Sequence, residues 1–172
     1  MVPEPQRSQL ALLQDGLQGA RWVQPEKLHI TVRFVGEVGE VTAHEIAVRL
    51  RAFNVHDFRI YLRGVGVFDP GNRPRSIWAA VRDPQPLRAL HDKCNEILDP
   101  LGVMEERRKY LPHVSIARLA EVNNTQLMRY VEAHRDFATP PFWAEKFSLI
   151  RSHLTRNGAA YEILEDFPLR RA

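Results

Sequence analysis

Two of the seven histidines in this 172-residue chain stand in matching surroundings. His29 lies in Leu28-His29-Ile30-Thr31-Val32 and His113 in Pro112-His113-Val114-Ser115-Ile116. Both strings read His-x-(Thr/Ser) within an alternating apolar run. In an extended strand, residues i and i+2 share a face, so His29 points with Thr31 and His113 with Ser115. An imidazole changes charge at a pKa of about 6.5, so one ring can take a proton from water while another gives one to a leaving oxygen. Hydroxyls beside them donate hydrogen bonds to the non-bridging oxygens of a phosphate, where charge develops. This set suits hydrolysis of a phosphate ester without a metal. The motifs are far apart in the chain, so only the fold can bring them together.

The elements that must do so can be outlined from periodicity and turn residues. Gln6 to Leu17 reads as a helix with Leu10, Leu13 and Leu17 on one stripe, followed by a turn at Gly16–Gly19 and an extended stretch from Trp22. Leu28 to Val35 is the first motif strand. Thr42 with Glu45 is a capping-box signal for a helix carrying Ile46, Leu50 and Phe53. Phe58 to Leu62 alternates as a strand, with a bulge or bend at Gly64 and Gly66. Asp69-Pro70-Gly71-Asn72 is a turn, Ser76 to Val81 a strand, and Pro84 and Pro86 open a helix through Leu87, Leu90, Cys94, Ile97 and Leu98. Leu111 to Leu119 is the second motif strand. A helix from Asn124 or Thr125, a strand from Phe142 to Leu154, an Asn157-Gly158 hairpin and a return strand from Tyr161 to Leu164 complete the chain. Each half thus reads His-strand, helix, strand, turn, strand. The order predicts an α+β fold: a single domain over 1–172 made of two pseudo-symmetric lobes, with the histidines in the cleft between them. Leu28, Ile30, Val32, Phe34, Val114 and Ile116 would fill two hydrophobic cores.

Composition narrows the partners. Charged residues make up 26% of the chain and the net charge is +3, a surplus that suits a phosphate-bearing substrate but not a long nucleic-acid track. Arg75, Arg107, Arg108, Lys109 and Arg118 could add local positive charge. No apolar run approaches the roughly 18–20 residues that cross a bilayer, so no membrane partner is expected. No secretory signal is visible at Met1-Val2-Pro3-Glu4-Pro5. The one cysteine, Cys94, excludes an internal disulfide or a cysteine-based metal site and fits the reducing cytoplasm.

The flanks of the motifs carry a family resemblance. Gly19-Ala20-Arg21-Trp22-Val23-Gln24-Pro25-Glu26-Lys27-Leu28-His29-Ile30-Thr31-Val32-Arg33-Phe34-Val35-Gly36-Glu37-Val38, Pro112-His113-Val114-Ser115-Ile116-Ala117-Arg118, and Phe147-Ser148-Leu149-Ile150-Arg151-Ser152 through Gly158 and Tyr161 together resemble the 2H phosphoesterases. The nearest branch is that of the RNA 2′,3′-cyclic phosphodiesterases, also called 2′-5′ RNA ligase-like. The resemblance implies a bilobal fold of two antiparallel sheets with helices outside. It implies opening of a 2′,3′-cyclic phosphate at an RNA 3′ end to a 2′-phosphate, with no cofactor and no metal, and it admits reversible 2′-5′ ligation. It carries over His29 and His113 as the acid–base pair; we assign His113 as base and His29 as acid, an order that the sequence does not decide and that ligation in reverse would exchange. Thr31, Ser115 and Arg118 become the phosphate-binding residues.

Two departures stand out. Ser115 replaces the commoner threonine and keeps the hydroxyl. The family pattern also begins with an apolar strand before the Pro-Glu-rich helix start, whereas this sequence opens almost inside that region. Either the true start lies further upstream or one lobe lacks a strand; the second case would expose a sheet edge to pairing with another chain, and otherwise a monomer is expected. Arg118 has the opposite strand parity to His113, so it reaches the site only at a strand end or through a bulge. His44, His56, His91, His134 and His153 read as surface or packing residues, Cys94 and the tryptophans as core, and Tyr110 and Phe34 as the aromatic candidates to stack a base. The competing functions are a phosphodiesterase of small cyclic nucleotides or 2′-5′ oligonucleotides, and an RNA-end-binding module with little turnover. Intact paired histidines favour an enzyme, because binding alone needs cations rather than titratable groups.

Overall fold

The computed structural model describes residues 1–69, 73–104, 108–155 and 158–171. Its elements run α1 (Glu4–Ala11), β1 (Ala20–Trp22), a 3-10 turn (Pro25–Lys27), α2 (Glu40–Arg51), β2 (Phe58–Ile60), β3 (Leu62–Phe68), β4 (Ser76–Val81) and α3 (Gln85–Leu98). A second 3-10 turn (Asp99–Leu101), β5 (His113–Leu119), α4 (Asn124–Ala133), β6 (Phe142–Ala144), β7 (Lys146–Thr155) and β8 (Gly158–Pro168) follow. The fold is α+β with antiparallel strands, as expected. Among the described residues, a four-stranded sheet has the order β1-β5-β4-β3, and β2-β6 and β7-β8 form two-stranded ladders.

The chain divides into two compact units that are interleaved in sequence rather than being its two halves. The first unit takes Met1–Thr31, Ile60–Pro84 and Leu111–Phe142; the second takes Val32–Arg59, Gln85–Tyr110 and Trp143–Ala172. Both His-x-(Thr/Ser) motifs fall in the first unit. That unit holds the four-stranded sheet, with α1 and α4. One face of β4 and β5 is sealed by Ile77, Ala79, Val114, Ile116 and Ala117, all essentially inaccessible. Tyr130 of α4 donates its hydroxyl hydrogen to the Leu13 carbonyl and lies 6.0 Å from the Trp22 ring, so α4 covers this face. The helix starts where the sequence says: the Asn123 side chain accepts from the Gln126 amide at 3.1 Å, a cap worth about 1 kcal/mol.

The second unit has its own core of Ile46, Ala47, Leu50, Leu98, Val103 and Phe167, with Phe53 and Phe147 packed against it. Its α2 corrects one expectation. The helix begins at Glu40 behind Gly39, so Thr42 sits inside the first turn and the capping box does not form; Glu45 pairs with Arg49 at 2.9 Å instead. Phe34, expected in a core, is 63% exposed. Tyr110 stacks on buried His91 at 4.3 Å and an interplanar angle of 5°. Trp143 is also exposed, with the Arg59 guanidinium 5.1 Å above its ring. Asn157 and Pro70–Asn72, read as turns, lie outside the described residues, although β7 and β8 pair up to Thr155 and Gly158. No helix among the described residues is long and apolar enough to cross a membrane.

The first motif is not a strand. α1 stops at Ala11 rather than Leu17, β1 is only Ala20–Trp22, and the chain then leaves β5 through the 3-10 turn. Pro25 lacks the N–H that a ladder would need, which explains the interruption. The chain returns for one antiparallel bridge, Ile30 to Val114. Leu28 anchors that return: it is fully buried, and its carbonyl accepts from the Val2 amide at 3.0 Å.

Candidate active site

The Ile30–Val114 bridge joins the central residues of the two motifs. In an antiparallel pair, the residues flanking the bridge stand across from one another, so His29 faces Ser115 and Thr31 faces His113. A local two-fold axis through the bridge relates the motifs. All four polar side chains lie on the face opposite Ile30 and Val114. In such a pair, residues directly across are about 4.5–5.5 Å apart at Cβ and diagonal ones about 7–8 Å, so the imidazoles flank a space with a hydroxyl beside each.

Both rings are held in the same way. The Nδ1 of His29 lies 2.7 Å from the Lys27 carbonyl, and the Nδ1 of His113 lies 2.7 Å from the Leu111 carbonyl. A carbonyl only accepts, so each Nδ1 carries the hydrogen and each Nε2 exchanges the second proton. Burial pushes the pKa of His29 below the ordinary histidine value; its backbone hydrogen bond opposes the shift, and the chain's amino terminus adds to it. Burial likewise lowers His113, against its own backbone hydrogen bond, with His29 as a further cause.

Arg118 reaches this face through a bulge. On β4, Trp78 pairs with Ser115, Ile77 with Ala117 and Ser76 with Arg118, which leaves Ile116 as the extra residue of β5. Ile116 and Ala117 are consecutive and both fully buried. The slip reverses strand parity, so Arg118 shares the face of Ser115 and His113. Gln14 holds the bulge: its Nε2 donates to the Val23 carbonyl at 2.6 Å and the Ile116 carbonyl at 3.3 Å, while the Val23 amide donates to Ile116 at 2.9 Å. Arg75 has the parity opposite to Ser76. Arg107 lies outside the described residues, and Arg108 and Lys109 belong to the second unit.

Phe68, Trp78 and Gly66 also build the site, and the sequence alone does not assign them to it. The Phe68 ring meets His113 edge-on at 4.8 Å, Trp78 meets it at 6.0 Å, and the two aromatic rings are 5.2 Å apart. Gly66 pairs with Trp78, and a Cβ there would sit 2.4 Å from the indole. The available signal is a glycine in a strand, which marks a close approach as often as a bend; Gly64, with φ of +79°, is the one at the β3 register shift. Among the described residues, no group of three His, Cys, Asp or Glu side chains is arranged to hold a metal ion.

The chain is similar to known proteins in sequence and fold. The family model described as LigT like Phosphoesterase matches residues 1–78 and 80–161. An Aeropyrum pernix protein named RNA 2′,3′-cyclic phosphodiesterase is 36% identical over 144 residues, which cover 83% of this chain and 82% of that one. A Methanocaldococcus jannaschii protein of the same name is 31% identical over 169 residues, covering 96% of this chain and 95% of its own. A crystal structure of a Thermus thermophilus protein has a TM-score of 0.80 at 26% identity, covering 99% of this chain and 94% of that one. The crystal structure of E. coli LigT complexed with 3′-AMP has a TM-score of 0.81 at 20% identity, covering 98% of this chain and 94% of that one, a likeness of fold.

Proposed function

We propose that this chain, which belongs to the LigT-like phosphoesterase family, hydrolyses 2′,3′-cyclic phosphates at RNA 3′ ends to 2′-phosphates. The observation that carries the reading is the single antiparallel bridge, which sets two identically tethered imidazoles about a local two-fold axis, each beside a hydroxyl. The relatives named RNA 2′,3′-cyclic phosphodiesterase supply the substrate class.

In this mechanism His113 accepts a proton from water as the water oxygen bonds to phosphorus. The bond from phosphorus to O3′ breaks on the opposite side, and His29 delivers its proton to O3′. The product is a 2′-phosphate with a free 3′-hydroxyl. Each Nε2 performs its transfer while the Nδ1–H bond to a backbone carbonyl keeps the ring aimed. Thr31 and Ser115 donate to the non-bridging oxygens, and Arg118 balances the charge that grows there. Ligation in reverse would exchange the two imidazole roles. In this reading residues 1–172 act as a single domain of two pseudo-symmetric lobes, as a monomer in the cytoplasm and without a metal.

The test is a short RNA ending in a 2′,3′-cyclic phosphate, incubated in EDTA with the wild type and with His29→Ala and His113→Ala. Formation of a 2′-phosphate that is lost in both variants is expected. No product from folded wild type would overturn the RNA-end assignment in favour of small cyclic nucleotides or binding alone.

A further inference from the structure

We propose that Arg21 and Arg118 form a second anion seat, which holds the phosphodiester on the 5′ side of the terminal cyclic phosphate and makes the enzyme select oligonucleotide ends over mononucleotides. The inference rests on the phosphodiesterase reading above.

It begins with strand register. β1 pairs with β5 so that Arg21 stands directly opposite Arg118, with Trp22 opposite Ala117. Trp22 and Ala117 lie on the side covered by α4, so Arg21 lies on the other side, with Arg118, Ser115 and His113. Two like charges directly across a ladder destabilise the pairing. Among the described residues neither guanidinium enters an ion pair that would offset that cost. A local rule broken with no carboxylate partner among the described residues points to a partner from outside. The partner must be an anion, and the planar fork of arginine suits a phosphate oxygen pair.

The spacing identifies which phosphate. Ser76 and Trp78 are two residues apart on β4, so the arginine rung lies about 7 Å along the sheet from the Ser115 rung, with β1 about 4.8 Å farther out than β5. That offset matches the step between successive phosphates of a single strand. Arg118 can thus serve the reacting phosphate and share the next with Arg21. β1 is the edge of its sheet, so the outer side of Arg21 is open to the polynucleotide.

A nucleoside 2′,3′-cyclic monophosphate has only the reacting phosphate, so it cannot use this seat. The experiment measures kcat/KM for that compound and for a trinucleotide ending in a 2′,3′-cyclic phosphate, with wild type, Arg21→Gln and Arg21→Lys. Circular dichroism confirms that each variant is folded. Arg21→Gln should lower the trinucleotide-to-mononucleotide ratio about tenfold, mainly through KM, and Arg21→Lys should restore most of it. The slope of log(kcat/KM) against log[salt] for the trinucleotide should become shallower by about 0.7, the value for one phosphate contact on a single strand. An unchanged ratio, or equal losses on both substrates, overturns the inference while leaving the phosphodiesterase reading intact. Absence of turnover of either substrate by the wild type would overturn that reading itself.

Discussion

Replacing Gly66 by alanine tests whether the aromatic wall behind His113 aims the imidazole. The backbone at Gly66 does not need positive φ, so the effect of alanine is steric alone. Its Cβ would sit 2.4 Å from Cζ2 and 2.5 Å from Cη2 of Trp78, where ordinary contact begins at 3.4 Å. The indole must therefore retreat by about 1 Å, which is the scale of overpacking that costs about 1–3 kcal/mol. In a chain of this length each kcal/mol lowers Tm by about 2–4 °C, so a drop of about 2–12 °C in a thermal melt is expected. The same shift moves a ring 6.0 Å from His113 and 5.2 Å from Phe68, the residue that holds His113 edge-on at 4.8 Å. A misplacement of about 1 Å at a catalytic group can cost on the order of 100-fold in rate, so kcat on the cyclic-phosphate RNA should fall by about 10–100-fold. Trp78→Phe removes the atoms that collide. In the double variant Gly66→Ala/Trp78→Phe, the alanine should therefore cost less stability than it does alone, a coupling beyond the usual limits of additivity. Wild-type Tm and kcat in Gly66→Ala, or strict additivity in the double variant, would refute the reasoning.

Other outcomes follow from the same site. Both histidines titrate below their ordinary value because burial disfavours the imidazolium, so the bell of kcat/KM against pH should peak on the acidic side of about 6.5 and fall through neutrality. The bound phosphate anion favours the imidazolium, so the alkaline limb of kcat should lie at higher pH than that of kcat/KM; a kcat/KM maximum above about pH 8 would contradict this. The unfolded chain binds these protons more readily than the folded one. Stability contributed by the two rings is therefore present above about pH 6.5 and is lost as pH falls through the lowered values, so Tm should rise between about pH 5 and 7 and the rise should flatten in His29→Gln/His113→Gln. Gln14→Leu removes the donor that reaches the Val23 and Ile116 carbonyls; it should cost about 1–3 kcal/mol in denaturant unfolding and lower kcat/KM by loosening the bulge that turns Arg118. Burial pushes the Cys94 thiol up to about 12, so iodoacetamide at about pH 8 should label it only after unfolding.

How far the site can be read from sequence depends on the range of each signal. A spacing of two residues fixes a face without knowledge of the partner, which is why His29 groups with Thr31 and His113 with Ser115. The same alternation does not require pairing, and Leu28 to Val35 reads as a strand although one bridge at Ile30 is all that forms. Pro25 is visible in the sequence; its consequence depends on β5 being the neighbour. The capping box fails for a similar reason, since Gly39 starts α2 ahead of Thr42. The interleaving of the two units has no local signature at all, because each is assembled from three separate stretches of the chain. Arg118 is the instructive case. Its parity is wrong for the site, and a bulge is one of two ways out; the consecutive burial of Ile116 and Ala117 is the physical form it takes. Arg21 gives no comparable warning. It sits in a three-residue strand too short to show a period, and its meaning appears only when register sets it across from another arginine. Residues that act through a non-local pairing are therefore the ones a single sequence hides, even when each motif they serve is plain.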